Sequence, residues 1–120
     1  MKAAVYYENG GPEVLRYQDV PDPVCGAEEV MIRVEAISLE GGDLLHRQSS
    51  PPPSRPHIVG YSTAGEIVAL GADVKGFERG QKVITFSWAG SHAELRTSKA
   101  QHTWALPPGL DVRTAAGIPA

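Results

Sequence analysis

Three side chains capable of acid–base or metal chemistry lie at steps of three residues in the chain. Glu40, Asp43 and His46 contribute two carboxylates and one imidazole. Because residues three apart can share a helical face, Asp43 and His46 could together bind a metal ion or shuttle protons. A capped first helical turn followed by a surface histidine explains the same spacing without any site, and it is the simpler interpretation.

The sequence lacks the common motifs for nucleotide phosphates and for serine hydrolysis. It contains no G-x-G-x-x-G and no G-x-S-x-G. The glycine pairs Gly60/Gly65 and Gly71/Gly76 have P-loop spacing, but neither is followed by Lys and Ser or Thr. Cys25, the single cysteine, can form neither an internal disulfide nor a cysteine zinc cage. The residues alone thus indicate a polar site near residues 38–46 without naming a reaction.

Composition narrows the class of protein. The 120 residues suffice for one domain, and eleven Lys and Arg against fourteen Asp and Glu give a net charge of −3 with no basic block. We therefore expect no nucleic-acid partner. No apolar run approaches the roughly 20 residues of a membrane span, and the N-terminus lacks the apolar centre of a signal peptide. These features predict a cytoplasmic protein without a membrane partner.

The elements that must position these side chains are short strands. Thirteen Gly and ten Pro separate brief apolar runs, a pattern typical of a mainly β domain. In Glu29 to Ser38 the apolar residues alternate with Arg33 and Glu35 at a period of two, which predicts a half-buried strand. Two short helices are expected near residues 42–47 and 111–118, the second capped by Asp111. Strands are predicted at 2–7, 14–20, 29–38, 65–70, 82–86, 92–97 and 104–106.

The last residues, TAAGIPA, are apolar and offer no solvating tail. A helix that has scarcely begun at this point leads us to expect a continuation beyond Ala120. The alternative is a frayed native C-terminus.

Between Glu35 and Val83 the chain resembles the medium-chain dehydrogenase/reductase superfamily, and the similarity extends over nearly all of it. The strand leading into that family's active-site helix resembles EEVMIRVEAISLEGGDLLHRQ, and the family's glycine-rich turn with paired strands resembles VGYSTAGEIVALGADVKGFERGQKV. The resemblance implies a GroES-like β-barrel over residues 1–120, the catalytic half of an NAD(P)H-dependent oxidoreductase. It further implies a C-terminal Rossmann domain as partner, absent from this chain, so the isolated chain is expected to be inactive.

Two departures from the family pattern concern zinc. Glu40 and Tyr61 stand where zinc-dependent members have a cysteine and a histidine ligand, and Ser87 to His92 leaves no room for their four-cysteine lobe. The resemblance is then to the zinc-free quinone oxidoreductases, which transfer hydride from NADPH to quinones or activated double bonds. It implies no bound metal, NADPH or NADH as cofactor, and a small-molecule substrate.

The resemblance also implies the site residues. Glu40, Asp43 and Tyr61 are expected to line the catalytic site, with Ser38 and Glu40 near the nicotinamide. Without zinc, hydroxyl groups such as those of Tyr61 and Ser38 must stabilise the charge that develops on a substrate oxygen. Glu40 replaces the usual asparagine, and its carboxylate would repel further negative charge unless it is protonated or paired.

Two other functions remain open at this point. One is an enoyl reductase domain of a larger synthase. The other is a non-enzymatic GroES-like binding or assembly module, whose barrel edges a partner would cover. The sequence leaves homo-oligomer formation undecided.

Overall fold

The computed structural model describes residues 1–119, and Ala120, the last residue of the predicted 1–120 domain, lies outside the described residues. Eight strands and two α-helices are present in the described part of the chain, besides 3-10 turns at Pro12–Val14 and Ala100–His102. The elements are β1 (Lys2–Tyr6), β2 (Arg16–Asp19), β3 (Glu29–Ile37), α1 (Gly41–Ser49), β4 (His57–Ile58), β5 (Ser62–Leu70), β6 (Lys82–Phe86), β7 (Leu95–Lys99), β8 (Thr103–Ala105) and α2 (Val112–Ala116). The predicted mainly β, GroES-like class with two short helices is confirmed.

The strands form two antiparallel sheets. The smaller has the order β2-β1-β4, and the larger, β7-β3-β5-β6-β8, curls into a half-barrel. The predicted N-terminal hairpin is present, with Lys2 opposite Asp19. A bridge between Ala3 and Ala93 joins the smaller sheet to the segment that precedes β7. The two sheets therefore meet beside residues 91–94.

Strand β3 lies between β5 and β7 in the larger sheet, and its alternate apolar residues bury one of its faces. Val30 and Ile32 are fully buried, whereas Arg33 and Glu35 face solvent, as the alternation predicts. The two buried side chains pack with Ile67 and Val83 in one cluster. Full burial of each such side chain stabilises the fold by roughly 1.5–3 kcal/mol.

Helix α2 covers the opposite face of the larger sheet. Its Ala115 and Ala116 pack on Ala64 and Ile84, and their small side chains allow the helix to approach closely. The carboxylate of Asp111 accepts a hydrogen bond from the Thr114 amide at 2.8 Å, which confirms the predicted cap. The helix begins at Val112 for this reason.

Several element boundaries differ from the predictions. β4 was not predicted, because two residues are too few to display a period. β7 begins at Leu95 rather than His92, since Ala93 pairs with β1 and the pairing with β3 starts only where Leu95 lies opposite Arg33. β5 begins at Ser62, three residues before its apolar run. That early start determines where Tyr61 lies.

None of the helices within residues 1–119 has the length and hydropathy needed to cross a membrane.

The β3–β5 contact leaves no room for a side chain at Gly65. A β-carbon there would overlap the Arg33 carbonyl oxygen across the pair. We expect Gly65→Ala to lower the free energy of unfolding by about 2 kcal/mol, because backbone must move to accept the methyl group. Urea denaturation followed by circular dichroism measures the change.

Gly41→Ala is the matched control, since a β-carbon at this exposed start of α1 would meet nothing within 4 Å. Its expected effect is neutral or stabilising by about 0.5 kcal/mol. Equal unfolding free energies for the two variants would contradict the described β3–β5 packing.

Candidate functional site

The first turn of α1 brings three of the predicted site residues together. The Ser38 hydroxyl donates to Glu40 Oε1 at 2.6 Å, and the Glu40 amide donates to Asp43 Oδ2 at 3.0 Å. Glu40 is the residue at which the chain turns from extended backbone into the helix. The Asp43 carboxylate therefore holds the helix start, and the Glu40 carboxylate is paired with a hydroxyl.

Asp43 is the most deeply buried carboxylate at this site. Asp43 is only 6% exposed, and its Oδ1 has no hydrogen-bond partner among the described residues. An acceptor left without a donor in a buried position costs roughly 1–3 kcal/mol. A buried polar atom left without a partner calls for an explanation, and a catalytic role is one of those known.

Tyr61, the fourth predicted residue, packs on the same helix one turn further along. Its hydroxyl lies 3.2 Å from His46 Nδ1, and the two rings meet edge-on with centroids 5.8 Å apart. Gly42 makes the approach possible, because a β-carbon there would overlap the Tyr61 hydroxyl oxygen. Gly42 and His46 are four residues apart and thus present one helical face to Tyr61.

An aromatic cluster surrounds the Tyr61 ring. Its centroid is 5.3 Å from that of Trp88 and 5.8 Å from that of Phe86, and all three rings meet at steep angles. Such edge-to-face pairs each contribute about 0.5–1.5 kcal/mol beyond the area they bury. Trp88 is 68% exposed, so the cluster extends from the interior to the surface.

A cavity of about 270 Å³ opens beside this cluster. It combines apolar rings with two imidazoles, and its lining residues are Tyr6, His46, Ser50, Pro51, Pro53, His57, Trp88 and Ala89. Apolar walls with a few polar groups are typical of small-molecule sites. Tyr61 itself lies behind His46 and Trp88 and does not belong to the lining.

A larger open groove of about 410 Å³ lies elsewhere, against β1, β2 and β3. Neither this groove nor the 270 Å³ cavity is lined by Ser38, Glu40, Asp43 or Tyr61. We place the candidate site at the smaller cavity, because that is where the aromatic cluster and the Tyr61–His46 pair lie.

Burial governs the ionisation of the polar groups around the cavity. Burial raises the pKa of Tyr61, and the nearby charge of Asp43 raises it further. Tyr61 thus retains its proton at neutral pH and can donate it. Burial also lowers the pKa of His57, which lines the cavity, and that of His92, which lies outside it.

Arg96 holds this part of the molecule together from the inside. It is 2% exposed, and its guanidinium donates to the Tyr61 carbonyl at 2.7 Å, to Thr63 Oγ1 at 3.0 Å and to the Ala89 carbonyl at 2.8 Å. Burial lowers the pKa of Arg96 to about 10, so it remains a cation at neutral pH. No carboxylate of the described chain lies within ion-pair distance of it.

The donor set does not favour a metal site. Over residues 1–119, no three His, Cys, Asp or Glu side chains come close enough to hold a metal ion together. Glu40 and Tyr61 each have a hydrogen-bond partner within this chain, Ser38 and His46 respectively.

Sequence reasoning missed the roles of three residues in this arrangement. His46 was considered with Asp43 for metal binding or proton transfer, but a surface histidine was the preferred interpretation; in the structure it contacts Tyr61 and lines the cavity. Its spacing from Asp43 was the available signal. Trp88 and Arg96 gave no signal, since their contacts join residues far apart in the chain.

Comparison with known proteins places this geometry in a family. A family model described as the alcohol dehydrogenase GroES-like domain matches residues 26–117. The chain is 37% identical to the quinone oxidoreductase of Rattus norvegicus over 99% of its own length and 38% of that protein. It therefore spans well under half of the curated relatives it matches.

Two solved structures share the fold over almost all of the chain. The human synaptic vesicle membrane protein VAT-1 homolog-like protein superimposes with a TM-score of 0.94 at 32% identity, covering 99% of this chain and 38% of that one. The Escherichia coli quinone oxidoreductase complexed with NADPH gives a TM-score of 0.90 at 27% identity, covering 97% of this chain and 36% of that one.

We expect Arg96→Met to lower the free energy of unfolding by about 3 kcal/mol, because the Ala89 carbonyl and the Thr63 hydroxyl lose their guanidinium donor and the Tyr61 carbonyl keeps only the Ser87 amide. The aromatic near-ultraviolet circular dichroism should weaken as well, since the Tyr61 and Ala89 backbones lose their common anchor. Urea denaturation and the aromatic spectrum measure the two effects.

Arg33→Met is the control, because Arg33 is exposed and its 3.4 Å ion pair with Glu66 lies at the surface. A loss below about 1 kcal/mol is expected there. If both arginine variants behave alike, Arg96 is not the anchor.

Acidification should destabilise the domain through its buried imidazoles. Because the folded state binds a proton at His57 more weakly than the unfolded chain does, the unfolded state takes up protons first as the pH falls below 6.5. The free energy of unfolding should therefore decrease from pH 7 to pH 5.5, by at most about 1.4 kcal/mol per pH unit for each such histidine.

His57→Phe should flatten this dependence while keeping an aromatic ring against Tyr6. His102→Phe is the comparison, since His102 is exposed and contributes no buried imidazole. Urea midpoints across the pH range decide the matter, and an unchanged slope in His57→Phe would refute the assignment.

Proposed function

The chain belongs to the alcohol dehydrogenase GroES-like domain family, and from this premise we propose that it is the catalytic domain of a zinc-independent NAD(P)H-dependent oxidoreductase. The proposed substrates are quinones or compounds with activated carbonyl or alkene groups. The observation that carries the proposal is the Tyr61 hydroxyl, which lies 3.2 Å from His46 Nδ1 in the second half of α1, beside the 270 Å³ cavity. Several relatives carry the name quinone oxidoreductase.

The first turn of α1 is the proposed contact for the nicotinamide. A bound reduced nicotinamide would supply hydride to the substrate. Glu40 offers a carboxylate acceptor and Ser38 a hydroxyl. These oxygen acceptors fit a carboxamide, whose N–H groups need acceptors. Because the Ser38 hydroxyl donates a hydrogen bond to Glu40, part of the carboxylate's negative charge is stabilised. The expected repulsion of further negative charge is thereby reduced.

The remainder of the dinucleotide is proposed to bind a further C-terminal domain of Rossmann type. The chain spans 38% of the rat quinone oxidoreductase, so a protein of comparable length has room for such a domain. Residues 1–120 would then be the catalytic domain, which is expected to be inactive when isolated.

Tyr61 is the proposed proton donor. When hydride adds to a substrate carbon, negative charge develops on the attached oxygen or on a conjugated one, and a positioned hydroxyl stabilises and protonates it. The raised pKa of Tyr61 keeps that proton in place until charge develops. Asp43 is proposed to act by positioning, through the Glu40 amide and the helix start.

The absence of zinc from the mechanism is supported by residue chemistry. Glu40 and Tyr61 occupy the two positions at which zinc-dependent relatives are expected to place ligands, and a carboxylate with a phenol is a poor substitute for cysteine with histidine. The same proposal places the enzyme in the cytoplasm, in keeping with a single cysteine that forms no internal disulfide.

The test uses the polypeptide that carries this chain together with whatever follows Ala120 in its reading frame. NADPH or NADH oxidation is recorded by absorbance with benzoquinone and with an enoyl thioester in parallel. We expect quinone-dependent oxidation that a zinc chelator leaves unchanged. Tyr61→Phe should lower kcat by about 100-fold, because a general acid contributes about 10²–10⁴-fold.

Each of the other possible results would support a different function. Activity that a chelator abolishes and zinc restores would overturn zinc independence, and a preference for the enoyl thioester would indicate an enoyl reductase domain. If neither substrate oxidises the cofactor, the chain is better explained as a GroES-like binding or assembly module.

A further inference from the structure

Two carboxylates lie at the start of α1 without a cation to balance them. In the described part of the chain, neither Glu40 nor Asp43 forms an ion pair. Their hydrogen bonds come from neutral donors, the Ser38 hydroxyl to Glu40 and the Glu40 amide to Asp43. The helix dipole contributes roughly half a positive charge at this end. The first turn of α1 therefore carries more negative charge than its surroundings offset.

The buried member of this pair has an oxygen that the described residues leave without a donor. Asp43 is 6% exposed, and its Oδ1 has no hydrogen-bond partner among them. Arg47, one turn further along α1, is equally buried, but its Nε donates to the Gly10 carbonyl at 3.2 Å. Charges sheltered from water interact more strongly than charges in water do. A ligand that brings positive charge to this turn would therefore be stabilised.

The surface beside Glu40 is open and apolar. A β-carbon at Gly41 would meet nothing within 4 Å, so a ligand can approach the helix start there. Leu39 and Leu44 are both exposed. Leucines give Ca²⁺ or Mg²⁺ none of the oxygen ligands that these ions require. Apolar side chains around a few polar groups are instead typical of sites for organic molecules. An organic cation is thus the better match.

The proposed reaction produces an organic cation. Hydride transfer moves one proton and two electrons from the reduced nicotinamide to the substrate, where negative charge develops on an oxygen. It leaves one positive charge on the nicotinamide ring. The asparagine that the family resemblance leads us to expect at position 40 is neutral and would not distinguish the two forms of the ring. A carboxylate at this position does distinguish them.

We propose that Glu40 stabilises the positive charge of the oxidised nicotinamide, so that the first turn of α1 prefers the oxidised cofactor to the reduced one. The proposal rests on the proposed function, which places the nicotinamide at this turn. Asp43 adds negative charge and, through the Glu40 amide, holds Glu40 at the helix start. Tighter binding of the oxidised form makes the bound reduced form a stronger hydride donor by the same factor.

The first test uses this chain and two small probes that differ by one charge. The 1-methylnicotinamide ring is a cation and the nicotinamide ring is neutral, while both carry the same carboxamide. Each probe is titrated into the chain while NMR records the backbone amide signals of residues 38–44. We expect the cation to bind about tenfold more tightly than nicotinamide and to shift the Glu40 and Gly41 signals, because only the cation attracts the carboxylate.

Glu40→Gln removes the charge but keeps the length of the side chain and an acceptor for Ser38. It should bind the two probes equally. Glu28→Gln is the matched control, because it makes the same substitution at an exposed carboxylate just before β3, 3.6 Å from Lys99 Nζ. This variant should keep the wild-type preference for the cation.

Equal affinities of the wild-type chain for the two probes overturn the proposal, and so does a preference for the cation that persists in Glu40→Gln. If Glu40→Gln does not fold, the wild-type chain still decides, because the cation must bind more tightly and must shift the signals of residues 38–44. Shifts confined to other residues refute the assignment.

A second measurement uses the longer polypeptide that continues past Ala120. Isothermal titration calorimetry gives the Kd values of NADP⁺ and NADPH, and of NAD⁺ and NADH. In Glu40→Gln the Kd ratio should move about tenfold toward the reduced form, and an unchanged ratio contradicts the proposal. Neither measurement needs turnover. A polypeptide that reduces no quinone but prefers the cationic probe at Glu40 would refute the reductase and leave the cation site standing. Quinone reduction with equal probe affinities would refute the cation site alone.

Discussion

A buried cation bound only to neutral acceptors holds together the functional end of this domain. The Arg96 guanidinium projects from β7 and donates to the backbone at Tyr61, to the Thr63 hydroxyl and to the backbone at Ala89. Removing a charge from water is costly, and here carbonyl dipoles rather than a carboxylate offset the cost. One side chain thereby connects the start of β5, strand β7 and the loop that carries Trp88. The site exists because these segments are connected.

The chemistry of the site follows from that connection. Tyr61 lies where the sheet meets α1, so its ring is confined by Phe86 and Trp88 on one side and its hydroxyl by Gly42 and His46 on the other. Burial there raises the pKa of Tyr61, so the hydroxyl keeps its proton at neutral pH. The carboxylates of Glu40 and Asp43 lie at the N-terminus of the helix, where its dipole favours negative charge.

Local pattern was sufficient for most of the fold but for less of the site. The alternation in β3, the N-terminal hairpin and the Asp111 cap were all predictable, because each depends on neighbours in sequence. β4 and the early start of β5 were not, since only pairing with distant strands makes those residues extended. Glu40 and Asp43 lie at the helix start, as the capping interpretation predicted, and Ser38 joins them there through its bond to Glu40. The partner of Tyr61 was not identified.

By itself, the sequence determined that this is a mainly β domain with polar groups gathered near residue 40. The family resemblance added that Glu40 and Tyr61 stand where zinc ligands would be expected. The fold class and the polar cluster depend on residue types and on periods of two to four residues, because strand alternation and helix capping involve residues that are close in sequence. Only the tertiary structure decided that Tyr61 bonds to His46, that Trp88 packs against Tyr61, and that Arg96 bonds to the backbone at Tyr61 and Ala89. Such contacts form only when the strands pair and bring distant residues together. Their energies depend on burial, which a short segment of sequence does not reveal.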